Sequence, residues 1–449
     1  MRKFIVRVVV TLVVLFGMGS YIYKTNKIIE NYEKQEPKIT NKGLLSMMLE
    51  TSAGSGEYQK TSASTWPTEG YVFNESLSKC EKGSSLSWDS SKKTVVMVGN
   101  NADRCYVYFD MYVPDMSELC DGKILSDCIK TQYTGKQGVN NLYFHNGTIK
   151  DDDTVLDAND NSYRYAGASE TTNNFVCFGF DSTDGTCPMD YLYRIIGVFD
   201  NQVKLMKYDY AKSTLIGTDG DYYNIYSKTP IALDLSTMLS TGLYKGNNLS
   251  SEIGTYHWNN LNGKDHGTNN WSTSRLNTVN LNTNYINNIV TKWSNKISTH
   301  TWKVGGNTVT NMQPVIPSIA YQNEIKNPAE STTYDAKIGL IYVSDYGYAA
   351  APSAWTKKLY SYSDSYSDSS VTSVNWMYMG LCEWTITRNA DNTSFAYYIA
   401  AGGYSYSAHT TVGTYVGINA YAIRPVFYLN SNVTYVSGSG TISSPILIN

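Results

Sequence analysis

"YRIIGVFDNQVKLMKYD", residues 193–209, is the stretch on which the fold turns. Two apolar runs flank the dipeptide Asp200-Asn201, the strongest hairpin signal in the chain. The hairpin should therefore lie at the core of its sheet. Further on, "NNWSTSRLNTVNLNTNYINNIVTKW" offers Ser272 and Thr283 as N-caps. Tyr285, Ile289 and Trp293 follow at four-residue spacing, which predicts two short helices packing by Leu276, Ile286, Ile289 and Trp293. "KIGLIYVSDYGYAA" reads as a buried strand ending in a polar turn, and "SYSDSYSDSS" as a low-complexity loop. The chain closes on four strand-like runs: "CEWTIT", "AYYIAAGG", "YAIRPVFYL" and "TISSPILIN".

Toward the amino terminus, the acidic "KDDDTVLDANDNSY" raises calcium. Counted from Asp157, Asn159 and Asn161 fit an EF-hand loop, but Ser162 and Ala168 stand where glycine and a bidentate glutamate are needed. The loop reads as solvated, and no cofactor is expected. Before it, residues 66–113 form a small β domain, with short runs at Tyr71–Phe73, "SLSW", "KTVVMVG" and "CYVYFDMYV". Residues 25–65 read as a stalk and linker, helical to about Met48 and then flexible at "TSAGSGEYQKTSAST". At the start, Arg2, Lys3 and Arg7 precede an uncharged run from Val8 to Tyr23, then Lys24. That pattern predicts a membrane anchor over 1–24, crossing with residues 4–23 and leaving the rest of the chain outside the cell. A cleaved signal peptide competes, since Gly17 and Gly19 offer a small-x-small site.

Composition agrees with an exported, β-rich chain. Only 17% of its 449 residues are charged and the net charge is −3, so nothing attracts a phosphate backbone and nucleic acid is not a partner. The 39 tyrosines, with serine, threonine and asparagine, suit strands and polar turns. Of seven cysteines, six group as Cys80 and Cys105, Cys120 and Cys128, and Cys177 and Cys187, with Cys382 far away. Up to three disulfides follow, with the pairing open, and the ligand spacing of a zinc site is missing.

Taken in order, "YLYRIIGVFDNQVKLM", "NWSTSRLNTVNLN", "KIGLIYVSDYGYA", "CEWTIT" and "IRPVFYLNSNVTYVSGSGTISSPILI" resemble the marks of a family of exported Firmicutes proteins of unsettled function. That family looks like a distant relative of the formylglycine-generating and C-type-lectin-like folds. The similarity covers roughly residues 113–449, and the 66–113 region resembles the module that commonly precedes it. The resemblance implies an α+β chain: transmembrane helix, stalk, small β domain, then a C-type-lectin-like (sulfatase-modifying-factor-like) domain over 114–449. It further implies that Trp384 packs into the core and that Arg424 pairs inward with Glu383. Formylglycine-generating chemistry needs two cooperating cysteines, and the C-terminal half holds only Cys382. As a lone nucleophile Cys382 would need a nearby histidine, so a small core filler is the reading preferred.

Asp345 with Glu383 is the acid pair considered for glycoside hydrolysis. No Walker loop and no GxSxG elbow appears. The tyrosine, serine and glycine of "GGYSYSAHTTVGTY" have the composition of adaptable binding loops, which nominates Tyr404, Tyr406, His409 and Tyr415 as ligand contacts. The function expected is thus a membrane-anchored cell-surface protein that binds an extracellular glycan or protein. A pilin-like appendage component and a cell-envelope hydrolase are the alternatives.

Overall fold

The computed structural model describes residues 45–449 apart from 52–55, 68–69, 100–101, 113–115, 183, 224–242, 250, 260–267, 309–314, 363–370, 404 and 410–419. The chain divides into two compact units, Met1–Pro114 and Asp115–Asn449.

In the first unit a four-stranded sheet runs in the order Tyr58–Lys60, Leu45–Glu50, Cys105–Met111, Tyr71–Cys80, beside the hairpin of Ser85–Asp89 with Thr94–Val98. Its core is Met47, Trp66, Leu86, Val107 and Phe109, closed by the Cys80–Cys105 disulfide. Closing a 25-residue separation removes unfolded-state entropy equivalent to about 3–4 kcal/mol. The segment expected to be a helical stalk instead supplies a strand, Leu45–Glu50. It pairs in parallel with Cys105–Met111, from Leu45 opposite Cys105 to Leu49 opposite Phe109. Its apolar side chains gain more from that sheet than from a solvated helix.

The second unit is built around the 193–209 stretch. Leu192–Phe199 and Gln202–Lys207 pair antiparallel, from Phe199 opposite Gln202 to Tyr193 opposite Lys207. The turn residues Asp200 and Asn201 both adopt positive φ, 46° and 66°. That is the backbone a two-residue hairpin turn demands. A bulge between Ile195 and Gly197 re-aims the first strand. There a Cβ on residue 197 would lie 2.2 Å from the Tyr163 carbonyl oxygen, so only glycine allows the neighbouring strand to approach. The sheet continues on one side through Val426–Tyr428 to Ile338–Gly339, and on the other through Ser162–Tyr165 to Leu142–His145. A second sheet is ordered Tyr222–Tyr223, Thr255–Tyr256, Tyr421–Ala422, Glu383–Arg388, Phe395–Ile399, Ser405–His409. Cys120–Cys128 and Cys177–Cys187 complete three disulfides.

Three expectations need correction. Among the described residues the protein is mostly β with few helices, 33% strand and 20% helix in mixed small sheets, rather than the α+β, C-type-lectin-like arrangement. Leu276–Asn288 is one continuous helical segment, π-type over Leu276–Tyr285, with Thr283 inside it rather than capping a second helix. The single-pass membrane assignment is withdrawn: among the described residues no helix is long and apolar enough to cross a membrane. Residues 1–24, on which the anchor rested, lie outside the described residues.

Candidate functional site

Residues Val203 to Lys207 of the central strand are all buried, so both faces of the sheet are covered. Side chains alternate across a strand, which sends Lys204 to one buried face and Lys207, three positions on, to the other.

On the Lys204 face the ammonium donates to Asp345 Oδ2 at 2.6 Å. Asp345 is held by its own helix, Val343–Ala349, where the same oxygen accepts the Tyr342 backbone N–H at 2.9 Å. From strand Ser162–Tyr165, one strand beyond Leu192–Phe199, Arg164 donates to Asp160 Oδ2 at 2.6 Å and to Ser162 Oγ at 2.8 Å. Its other terminal nitrogen lies 3.7 Å from Asp345 Oδ1, so one line of charge runs Asp160, Arg164, Asp345, Lys204. Tyr321 closes the line by donating to Asp160 Oδ2 at 2.7 Å. Aromatic faces surround both cations. Phe199, Trp302, Tyr342 and Tyr428 lie 5.0–5.7 Å from the Lys204 ammonium, and Phe199, Tyr321 and Tyr348 within 5.0 Å of the Arg164 guanidinium.

This line forms the floor of a cavity of about 370 Å³. Its walls bring in Phe199 and Asp200 from the hairpin turn, His300 and Lys303 from strand His300–Lys303, and Tyr342, Tyr428 and Lys326. His300 lies flat on Tyr428, with ring centroids 3.8 Å apart. Taking His300 as neutral, four cations face three carboxylates across the lining.

The electrostatics follow from burial. Burial pushes the Asp160 carboxyl up, but Arg164, with the Ser162 and Tyr321 hydroxyls, overcomes it and holds the group well below the usual range. Burial pushes Lys204 down, and Asp345 restores part of its charge. His300 is pushed down to about 4 by burial and by Lys204, and so stays neutral at pH 7. Behind the floor, Glu324 is pushed up to about 7 by burial, against hydrogen bonds from the Ser344 N–H and the Thr387 hydroxyl, each 2.8 Å.

Glu324 makes a test of this arrangement. Its pKa is raised in the folded protein from 4.5 to about 7, so folding is favoured fully below 4.5 and loses stability as pH rises to about 7. Glu324→Gln, which mimics the protonated acid, should match the wild type near pH 4 and exceed it by up to about 3 kcal/mol near pH 8. Urea denaturation at the two pH values checks this. An advantage that does not change with pH would rule out the buried acid as its source.

The residues nominated from sequence lie elsewhere. Tyr404 and Tyr415 are outside the described residues. Tyr406 and His409 fall on strand Ser405–His409, opposite Tyr398 and Phe395 respectively, at one end of the second sheet. Glu383 and Arg424 form a two-pronged pair: Arg424 Nε donates to Glu383 Oε2 at 2.7 Å and Nη2 to Oε1, with a further bond of 2.6 Å to the Met377 carbonyl. Trp384 is buried and donates to the Tyr256 carbonyl at 2.8 Å. Glu383 is locked to Arg424 and absent from the cavity lining, so it does not make an acid pair with Asp345 there. Cys382 is half-buried and packs against a small cluster that includes Tyr210, Met379 and Leu381, as a core filler does. In the acidic loop, Asp157 accepts from the N–H groups of Gly147, Ile149 and Asn159, and Asp160 is committed to Arg164. Asp103 sits beside Cys80 and Cys105, but those two sulfurs are bonded to each other and are not thiolate ligands.

Reading the sequence missed Asp160, Arg164, Lys204, Tyr321 and Glu324. One signal was present: lysines at 204 and 207 inside a strand otherwise apolar on both faces.

The fold and this site define a two-unit, mostly β protein carrying a closed ionic floor beneath an aromatic cavity. Compared with known families, curated proteins and solved structures, the chain matches none.

Proposed function

We propose that the 115–449 unit is a recognition module whose ligand, a sugar of an extracellular glycan, sits in the cavity over Arg164 and Lys204. The observation that carries this reading is the buried floor of two cations and two carboxylates opening into an aromatic-walled space of about 370 Å³. Taking an ion out of water costs several kcal/mol even after relaxation, so four such groups at one place are a poor route to stability alone. They do supply fixed donors and acceptors at the base of a pocket. The near-balance of charge favours an uncharged polar ligand over a phosphate or a polycation, and the rings offer flat apolar faces. Three disulfides favour an oxidising compartment, where extracellular glycans are met.

The full chain is applied to a glycan array, and its ligand is then titrated against two variants. His300→Ala, at the half-buried wall, should weaken binding by about tenfold or more. Tyr404→Ala with Tyr406→Ala should leave it within about twofold. The reverse pattern would place recognition on residues 404–415, and no saturable glycan would sink the proposal.

A further inference from the structure

Lys207, on the opposite face of the same strand, lines a separate cavity of about 330 Å³. Four other buried cations each have a carboxylate partner or several acceptors. Arg164, Lys204 and Arg424 each contact a carboxylate. Arg194 donates to the Asn174 and Ser169 side chains and to the Thr172 carbonyl. Lys207 is only 1% exposed and, among the described residues, has no carboxylate within ion-pair distance. Its ammonium donates to the Asp190 carbonyl oxygen at 2.7 Å and lies 5.4 Å from the Tyr193 ring.

An ammonium has three N–H donors, so two remain. The nearby acids are already committed. Asp190 pairs with Lys212 at 3.1 Å, and Asp209 accepts the Tyr244 hydroxyl and the N–H groups of Tyr210, Asn247 and Asn248. A buried charge with donors left over is costly, and an anion entering the cavity would relieve it. The remaining walls are mainly apolar, Phe178, Tyr193, Leu215 and Ile289, with Val290 and Tyr191 exposed at 66% and 39%, and Thr214 and Asn288 add two polar side chains.

We infer that this cavity binds a small monocarboxylate with an aromatic or branched apolar body, its carboxylate completing the hydrogen bonds of the Lys207 ammonium. Lys207 is the cation with open donors, and one carboxylate can fill them, since Lys212 is already engaged by Asp190 and Glu252. That balance selects a carboxylate over a phosphate dianion.

The test uses the full chain and calorimetric titration with 3-phenylpropanoate, with 3-phenylpropanamide as the uncharged isostere. The acid should bind saturably at millimolar concentration or below, and the amide about tenfold or more weaker. Lys207→Met should abolish the preference, while Lys212→Met at the rim should keep it. Ile289→Trp, which fills the space without touching the ammonium, is the third variant and should block both probes. Equal binding of acid and amide, an unchanged preference in Lys207→Met, or no saturation would each overturn the inference.

Discussion

Arg424→Met is expected to lower the unfolding free energy of the 115–449 unit by about 3–5 kcal/mol. Both members of the Arg424–Glu383 pair are 2% exposed, and three of the guanidinium's hydrogen bonds go to Glu383 and the Met377 carbonyl. Burial raises the Glu383 pKa and Arg424 opposes it. Without the guanidinium the carboxylate must take up a proton or stay charged and alone. The penalty therefore comes from the partner left behind more than from the bond lost. Glu383→Leu combined with Arg424→Met removes both charges and should recover most of the loss, because well-packed apolar replacements for a buried pair are often neutral. Denaturant unfolding followed by tryptophan fluorescence measures both, with Trp384 adjacent in sequence as a reporter. A single variant that loses less than about 1 kcal/mol would put this pair in the class of weak surface bridges.

Asp345→Ala should cost a similar amount, about 3–5 kcal/mol for the broken pair. It removes at once the partner of Lys204, the second carboxylate near Arg164 and the acceptor for the Tyr342 N–H at its helix start. Loss of such a cap alone is typically about 1 kcal/mol. Asp345→Asn keeps an acceptor for the N–H and should fall between the two. The pH dependence separates the causes. Burial already lowers the Lys204 pKa, and losing Asp345 lowers it further. A base whose folded pKa is depressed contributes stability above its unfolded value, about 10.4 for lysine, and loses it as pH falls. The deficit of Asp345→Ala should therefore be larger near pH 6 than near pH 9. A pH-independent deficit would assign the loss to the cap instead. Glycan binding should also fail in the alanine variant, since the cavity floor loses half of one pair.

Local chemistry carried a large part of the fold. Asp200 and Asn201 mark a two-residue turn because their side chains tolerate positive φ, and the turn forms where those residues stand. The runs around Phe73, Trp88, Val96 and Tyr108 become strands of the first unit because β-branched and aromatic residues suit a pleated surface. The six clustered cysteines pair as sequence neighbours, at separations of 25, 8 and 10.

Contacts distant in sequence had to be decided by the folded chain. Leu45–Glu50 shows no strand signal of its own and becomes one only beside Cys105–Met111. The candidate site has the same character. Lys204 and Asp345 are 141 positions apart, and Tyr321 and Asp160 are 161 apart. A lysine in an apolar run reads as a surface residue until a second layer covers its face. What the sequence by itself determined is many of the strands, the central hairpin turn and the grouping of six cysteines, because backbone preference and loop closure act over a few residues. Which charges are buried, and which of them keep donors open toward a cavity, only the tertiary structure decided. Those properties depend on what packs above the strand, and no local pattern carries that information.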